Sequence, residues 1–297
     1  MVSTLAGVWL RTTRGLGRVA LAWLIAGVGA AGPALAHDGG GRGGSMLSLG
    51  DSVVFGYITS DGPAYVNPDN FLGYPEIAGD SLRLDSVNAA CPGETSAGFL
   101  SLTGPDYKCQ PFRTHFPLHE SYGGTQLDYA LAYLGANKRK TRLVTLSIGA
   151  NDVFLLQAEC GGGANCIQAG LPTLLAQLYA NVNTILSNLK ATGFKGVLMV
   201  VNYYSTDYSD PAQTGLTLAL NHALANAAAA NGAVVADAFG AFQKVAAAAG
   251  GKTCLAGLLN GDPQNQQACD VHPSLSGQRL LAKAVEAAYR GGKRWDD

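Results

Sequence analysis

The chain has 297 residues, with 20 Lys and Arg against 21 Asp and Glu, and 47% of its residues are hydrophobic. Cleaving off residues 1–36 removes three arginines and no acid, which leaves 17 basic against 21 acidic residues, a formal charge of −4. With no Lys/Arg cluster read as able to track a phosphate backbone, that balance excludes nucleic acid as an expected partner. The 261 residues that remain suit one α/β domain better than two small ones.

The cleavage itself is the first feature in chain order. Arg11, Arg14 and Arg18 precede an apolar stretch at 19–32, and "PALA" at 33–36 places small residues at −3 and −1. The pattern predicts a signal peptide ending at Ala36, because the run is too short and too rich in Gly and Ala for a retained span of ~20 residues. The expected destination is the extracellular or periplasmic space, with no stable membrane insertion after cleavage. Residues 37–45, "HDGGGRGGS", read as a flexible leader. The folded domain is expected over 46–290, followed by a polar tail at 291–297.

Short apolar strands then alternate with helical patterns. Strands are expected at "SMLSL" (45–49), "LRLDSVNAA" (82–90), "LVTLSI" (143–148), "GVLMVVNYY" (196–204) and "AVVADAF" (233–239). Helices are expected at Gln126–Leu134, at Leu171–Thr192 with Pro172 in the first turn, at Leu216–Asn231 and at Ser276–Tyr289. The alternation predicts a parallel sheet covered on both faces, with ligands bound at the carboxyl ends of its strands.

Six cysteines downstream of a signal peptide predict disulfides in an oxidising compartment. They fall into three local pairs, and short loops close at the least entropic cost. The expected bonds are Cys91–Cys109, Cys160–Cys166 and Cys254–Cys269. A zinc site would need a spacing such as C-x2-C, which the chain lacks, so no metal is expected.

Four loops at strand ends carry candidate chemistry. "GDS" at 50–52 puts Ser52 at the start of a helix, where it serves either as an N-cap or as a nucleophile with its own N–H available to an oxyanion. "NAACPGETS" at 88–96 offers Gly93, whose backbone can approach a ligand closely. "SIGANDVF" at 147–154 offers Asn151, a neutral amide donor suited to developing negative charge. "CDVHPSLSG" at 269–277 offers His272, placed by Pro273 and followed by a helix that Ser274 or Ser276 can cap. His37 lies in the leader, His222 inside a helical pattern, and His115 and His119 in a long loop without strand framing. Asp51 and Asp152 read as structural neighbours.

In this order, Ser52 in "GDSVVFG", Gly93 in "ACPGET", Asn151 in "GAND" and His272 in "DVHP" resemble the SGNH hydrolases, or GDSL lipase/esterase family. The resemblance spans Met46 to about Tyr289. It implies a three-layer α/β/α flavodoxin-like sandwich with a central parallel five-stranded sheet. It further implies ester hydrolysis by acyl transfer, with Ser52 as nucleophile, His272 as base and then acid, and Ser52, Gly93 and Asn151 as the oxyanion hole. Family members need no metal or organic cofactor. No G-x-S-x-G elbow occurs, which argues against an ordinary α/β-hydrolase.

The match departs at the acid. Where many members carry D-x-x-H, this chain has Cys269, and the carboxylate is Asp270, two residues before His272. Asp270, a backbone carbonyl near Cys269 and, less directly, Asp262 are the candidates for orienting the imidazole. The expected substrate is a small-molecule or lipid ester, and the expected state a monomer. A carbohydrate O-deacetylase would use the same groups, and a non-catalytic surface-binding protein is the reading from outside enzymology. Tyr203, Tyr204 and other loop aromatics either line an acyl groove or only pack the loops.

Overall fold

The computed structural model describes residues 43–59 and 62–292. The signal peptide, the leader as far as residue 42 and the tail from residue 293 lie outside the described residues. Five parallel strands, β1 (Ser45–Gly50), β2 (Asp85–Asn88), β3 (Thr141–Ser147), β4 (Val197–Val201) and β5 (Val234–Ala236), pair in the order β2-β1-β3-β4-β5. This is the flavodoxin-like order, with its switch point between β1 and β3. Every residue of β1 is buried, as a strand covered on both faces requires.

Nine helices surround the sheet among the described residues: α1 (Ser52–Phe55), α2 (Tyr74–Leu82), α3 (Cys109–His115), α4 (Gln126–Asn137), α5 (Ala150–Glu159), α6 (Ala164–Ala191), α7 (Pro211–Asn231), α8 (Ala238–Ala246) and α9 (Leu275–Gly292). α6 packs against α4, α5 and α7, whereas α9 packs against α2 and α8, so the sheet is the middle of three layers.

Several expected boundaries move, each for a local reason. β2 is shorter than 82–90 because Leu82 belongs to α2, which Arg83 closes in a left-handed conformation at φ 56°. β4 stops at Val201 because the Asn221 side chain takes both backbone groups of Tyr203, at 2.8 and 2.7 Å, and draws the chain out of the sheet. β5 ends at Ala236 because Asp237 caps α8, accepting from the Gly240 N–H at 2.9 Å. α6 begins at Ala164, so Pro172 lies inside the helix and not in its first turn. Pro172 and Gln168 are both exposed, so the carbonyl that proline leaves without a helical partner opens to solvent. Asn151 sits in the first turn of α5, not in a loop.

The reading of charge also passed over a local run of cations. Lys138, Arg139, Lys140 and Arg142 fall together where α4 gives way to β3. Two of them are engaged at home, Lys138 with the Thr192 carbonyl at 2.9 Å and Arg142 with that of Gly43 at 3.2 Å. The run lies at the amino end of the strand, away from the edge where the four candidate loops emerge.

The cysteines bond in the three local pairs, Cys91–Cys109, Cys160–Cys166 and Cys254–Cys269. The last pins the segment that leads into α9. Within it the Asn260 N–H donates to the His272 carbonyl, and the Asp270 N–H to the Asn260 carbonyl, each at 2.9 Å. The bond closes a 15-residue separation, so replacing both Cys254 and Cys269 by Ala is expected to cost roughly 3 kcal/mol of stability. Urea unfolding of the double variant against the parent checks this.

Candidate active site

The carboxyl end of β1 sets the site. Gly50 has φ 143°, and a Cβ there would lie 2.0 Å from the Ser147 carbonyl oxygen, so only glycine fits between β1 and β3. Gln126 of α4 engages both backbone groups of Gly50, accepting from its N–H at 2.6 Å and donating to its carbonyl at 3.0 Å. The chain then turns into α1, a single turn of four residues. Asp51 is its N-cap, accepting from the Val53 N–H at 2.9 Å. Ser52 is thus the first helical residue and not the cap, which frees its hydroxyl for another partner.

One turn of helix cannot sustain itself, since nucleation fixes several dihedrals for one hydrogen bond. Its carbonyls are instead held by distant side chains. Gln278 of α9 donates to Val53 at 2.9 Å, Asn88 at the end of β2 donates to Val54 at 3.0 Å, and His119 Nε2 meets the Phe55 carbonyl at 3.1 Å. His119, whose ring also packs on Phe55 at 4.6 Å, is therefore a structural histidine. His115 and His222 bond within their own helices, and His37 lies outside the described residues.

His272 Nε2 lies 3.0 Å from Ser52 Oγ. On the other side of the ring, Nδ1 is 3.4 Å from Asp270 Oδ1 and 3.4 Å from Thr59 Oγ1. The loop bends to bring this about, because Asp270 Oδ1 also accepts from the His272 backbone N–H at 2.7 Å. Burial raises the affinity of the Asp270 carboxyl for its proton, but the hydrogen bonds to His272 and Thr59 and the charge of His272 outweigh it and hold the group below the ordinary range. Asp262 is spent on its own turn, accepting from the Gln264 N–H at 2.9 Å. Tyr57 covers the imidazole at 4.8 Å between ring centroids.

Donors face the same point. Among the described residues the backbone N–H groups of Ser52 and Gly93 donate to no protein acceptor. Gly93 has φ 88°, and a Cβ there would meet Lys108 Cβ at 2.6 Å, so the residue has to be glycine. Asn151 Nδ2 gives one proton to the Glu94 carbonyl at 2.9 Å, which fixes the amide and leaves its second proton to offer. Ser52, Asn151 and His272 line two cavities, and Gly93 lines one of them.

Buried acids support this arrangement from beneath. Asp51 Oδ2 accepts from Tyr203 O–H at 2.5 Å, and burial lifts the Asp51 carboxyl to about 6 against the opposing pull of Tyr203, the Val53 N–H and His272. Glu94 is pushed up to about 8, by burial first and then by the charge of Asp106. Asp152 holds Ser96 through both its N–H and its hydroxyl, at 2.9 and 2.5 Å. Sequence reasoning passed over Glu94, Gln126 and Gln278. The available signal was the polar residue in "CPGETS" beside Gly93, and two glutamines at helix starts where burial of a polar group demands a partner.

The sequence matches the model of the GDSL-like lipase/acylhydrolase family over residues 48–280. No curated protein matches it. Among solved structures, phospholipase A1 from Streptomyces albidoflavus NA297 superposes with a TM-score of 0.55 at 18% identity, covering 83% of this chain and 99% of its own. The acetylxylan esterase Axe2 from Geobacillus stearothermophilus gives 0.51 at 16% identity, covering 84% and 95%. An alpha/beta hydrolase enzyme from the metagenome of Lake Arreo, Spain, gives 0.51 at 16%, covering 84% and 96%. At these identities the likeness is one of fold.

The raised pKa of Asp51 has a consequence for stability. The folded state holds the Asp51 proton to about pH 6, whereas the unfolded chain releases it near 3.8. The stabilising share is full below the unfolded value and is lost as pH rises through the folded one. Stability should therefore fall between about pH 4 and pH 6, by up to about 3 kcal/mol from this group. Urea unfolding at several pH values is expected to show that slope reduced in Asp51→Asn.

Proposed function

This chain belongs to the GDSL-like lipase/acylhydrolase family, and from that premise we propose that it is a secreted serine ester hydrolase working through an acyl-enzyme. The 3.0 Å contact between Ser52 Oγ and His272 Nε2 carries the reading, because it joins a nucleophile to its base at the sheet edge where ligands bind. Ser52 Oγ attacks the ester carbonyl carbon as His272 Nε2 takes its proton. The negative charge on the carbonyl oxygen is met by the Ser52 and Gly93 N–H groups and the second Asn151 amide proton. Collapse breaks the bond to the leaving alcohol, which receives the proton from His272. Water, activated by the same imidazole, then releases the acid and restores Ser52.

Asp270 is the acid of this triad in our reading. Its carboxylate faces Nδ1 and is ionised at neutral pH, so it holds the tautomer that leaves Nε2 free to accept. Thr59 shares that role from the opposite wall. No described helix is long and apolar enough to cross a membrane. The three disulfides support an oxidising destination. We expect a monomer that needs no metal or organic cofactor.

Release of p-nitrophenol from acetate and longer esters tests the reading. Ser52→Ala and His272→Ala are each expected to lower kcat by ~10⁴-fold or more. Asn151→Ala should lower it by ~10²–10³-fold, and Asp270→Asn by on the order of 10²–10⁴-fold. Near-native turnover in Asp270→Asn beside a dead His272→Ala would reject the carboxylate's role. Activity confined to acetylated glycans would favour a polysaccharide O-deacetylase, and no activity on either substrate class a binding protein.

A further inference from the structure

Glu94 is a buried acid that the acyl-enzyme mechanism does not use. It follows Gly93 directly, and its side chain runs into the core, with only 3% of the residue exposed. Its backbone carbonyl accepts from Asn151 Nδ2 at 2.9 Å, and its carboxyl Oε2 accepts from Gln126 Nε2 at 3.4 Å. Gln126 in turn holds both backbone groups of Gly50, the last residue of β1 before Asp51 and Ser52. One residue thus joins Gly93, Asn151 and the strand end that presents the nucleophile. Gly98 leaves room for it, since a Cβ there would lie 2.6 Å from Glu94 Oε1.

The surroundings suit a carboxylic acid and not a carboxylate. Oε2 also lies 3.5 Å from Cys109 Sγ, which is bonded to Cys91 and carries no proton, so a hydrogen bond there has to come from the carboxyl itself. None of the ion pairs among the described residues includes Glu94. Asp106, before α3, and Asp152, on α5, add negative charge. Arg113 of α3 opposes them, but its guanidinium donates to the carbonyls of Tyr122 and Gly124. Tyr122 is a further titratable neighbour, and its hydroxyl donates to the Ala89 carbonyl at 3.0 Å. Lys108, packed on Gly93, holds its ammonium over the Tyr107 ring at 5.1 Å. Burial first, and then the charge of Asp106, push the Glu94 carboxyl up to about 8.

Resting on the ester-hydrolase reading, we propose that Glu94 is a positioning residue of the oxyanion hole, holding Gly93 and Asn151 in register with the Ser52 turn as long as its carboxyl is neutral. Loss of that proton puts a negative charge into the core one residue from the Gly93 N–H, where it opposes the charge developing on the ester oxygen. The carboxylate also competes with the Gly50 carbonyl for the Gln126 amide protons. Acyl transfer therefore slows as pH rises through the titration of Glu94.

The test is the ratio of kcat at about pH 9.5 to kcat at about pH 7 on p-nitrophenyl butyrate, expected at ~0.1 or lower in the parent once the uncatalysed rate is subtracted. Glu94→Gln, neutral at every pH, should hold its own ratio near one. Difference infrared spectroscopy of the parent over the same interval should show a carboxylic acid C=O stretch disappear, and Glu94→Gln should lack that change. Asp51, which keeps its proton only to about pH 6, has already ionised at the lower end. A flat parent profile overturns the positioning role alone and leaves an active esterase. An alkaline fall that Glu94→Gln retains overturns it as well. Where that variant does not fold, a parent with no carboxylic acid band to lose does the same. Absence of turnover on every ester removes the hydrolase reading first, and the role of Glu94 with it.

Discussion

A single turn of helix that cannot stand alone carries the nucleophile, and the rest of the site is arranged to hold it. α1 leaves its end carbonyls without intrahelical partners, as any helix terminus does, but here the terminus is nearly the whole element. Asn88 from β2, Gln278 from α9 and His119 from the loop before α4 each take one of them. Asp51 closes the other end, and Gln126 holds the strand residue just before it. Ser52 is thus fixed by groups from all three layers, so its position reports on the fold as a whole.

The same economy extends to charge. Asp51 stands under the nucleophile and feels His272, yet burial keeps its proton bound to about pH 6 and Tyr203 shares its second oxygen. Tyr203 is itself locked by Asn221 of α7. Asp270, half-buried and bonded to His272, is held on the ionised side. Two carboxyl groups therefore act on one imidazole with opposite shifts, and the one held below the ordinary range faces Nδ1. Environment has sorted them, since the residue type is the same.

Much of this is legible in the sequence. Alternating strands and helices gave the parallel sheet, and four separated blocks pointed to one edge of it, where Ser52, Gly93, Asn151 and His272 converge. Loop length favoured the three local cysteine pairs without excluding the other connectivities, and the structure holds all three. What escaped reading has a common cause. α5 and α8 follow their strands so closely that loop and helix share residues, so the Asn151 block reads as a loop. Pro172 disguised the first two turns of α6. Gln126, Gln278 and Glu94 act across sequence separations from 32 to 225 residues, and no local pattern records such bonds. Asp270 illustrates the limit well. It stands two residues before His272 and reaches the imidazole only through the bend that brings Oδ1 to the His272 backbone N–H.

The central claim is that the held helix makes Ser52 a nucleophile. The most direct measurement is peptide mapping by mass spectrometry after brief exposure to an alkyl fluorophosphonate, which phosphonylates an activated serine. One adduct is expected, on Ser52, absent when His272 is replaced by Ala. Labelling at a different residue, or none in folded protein, would contradict the account.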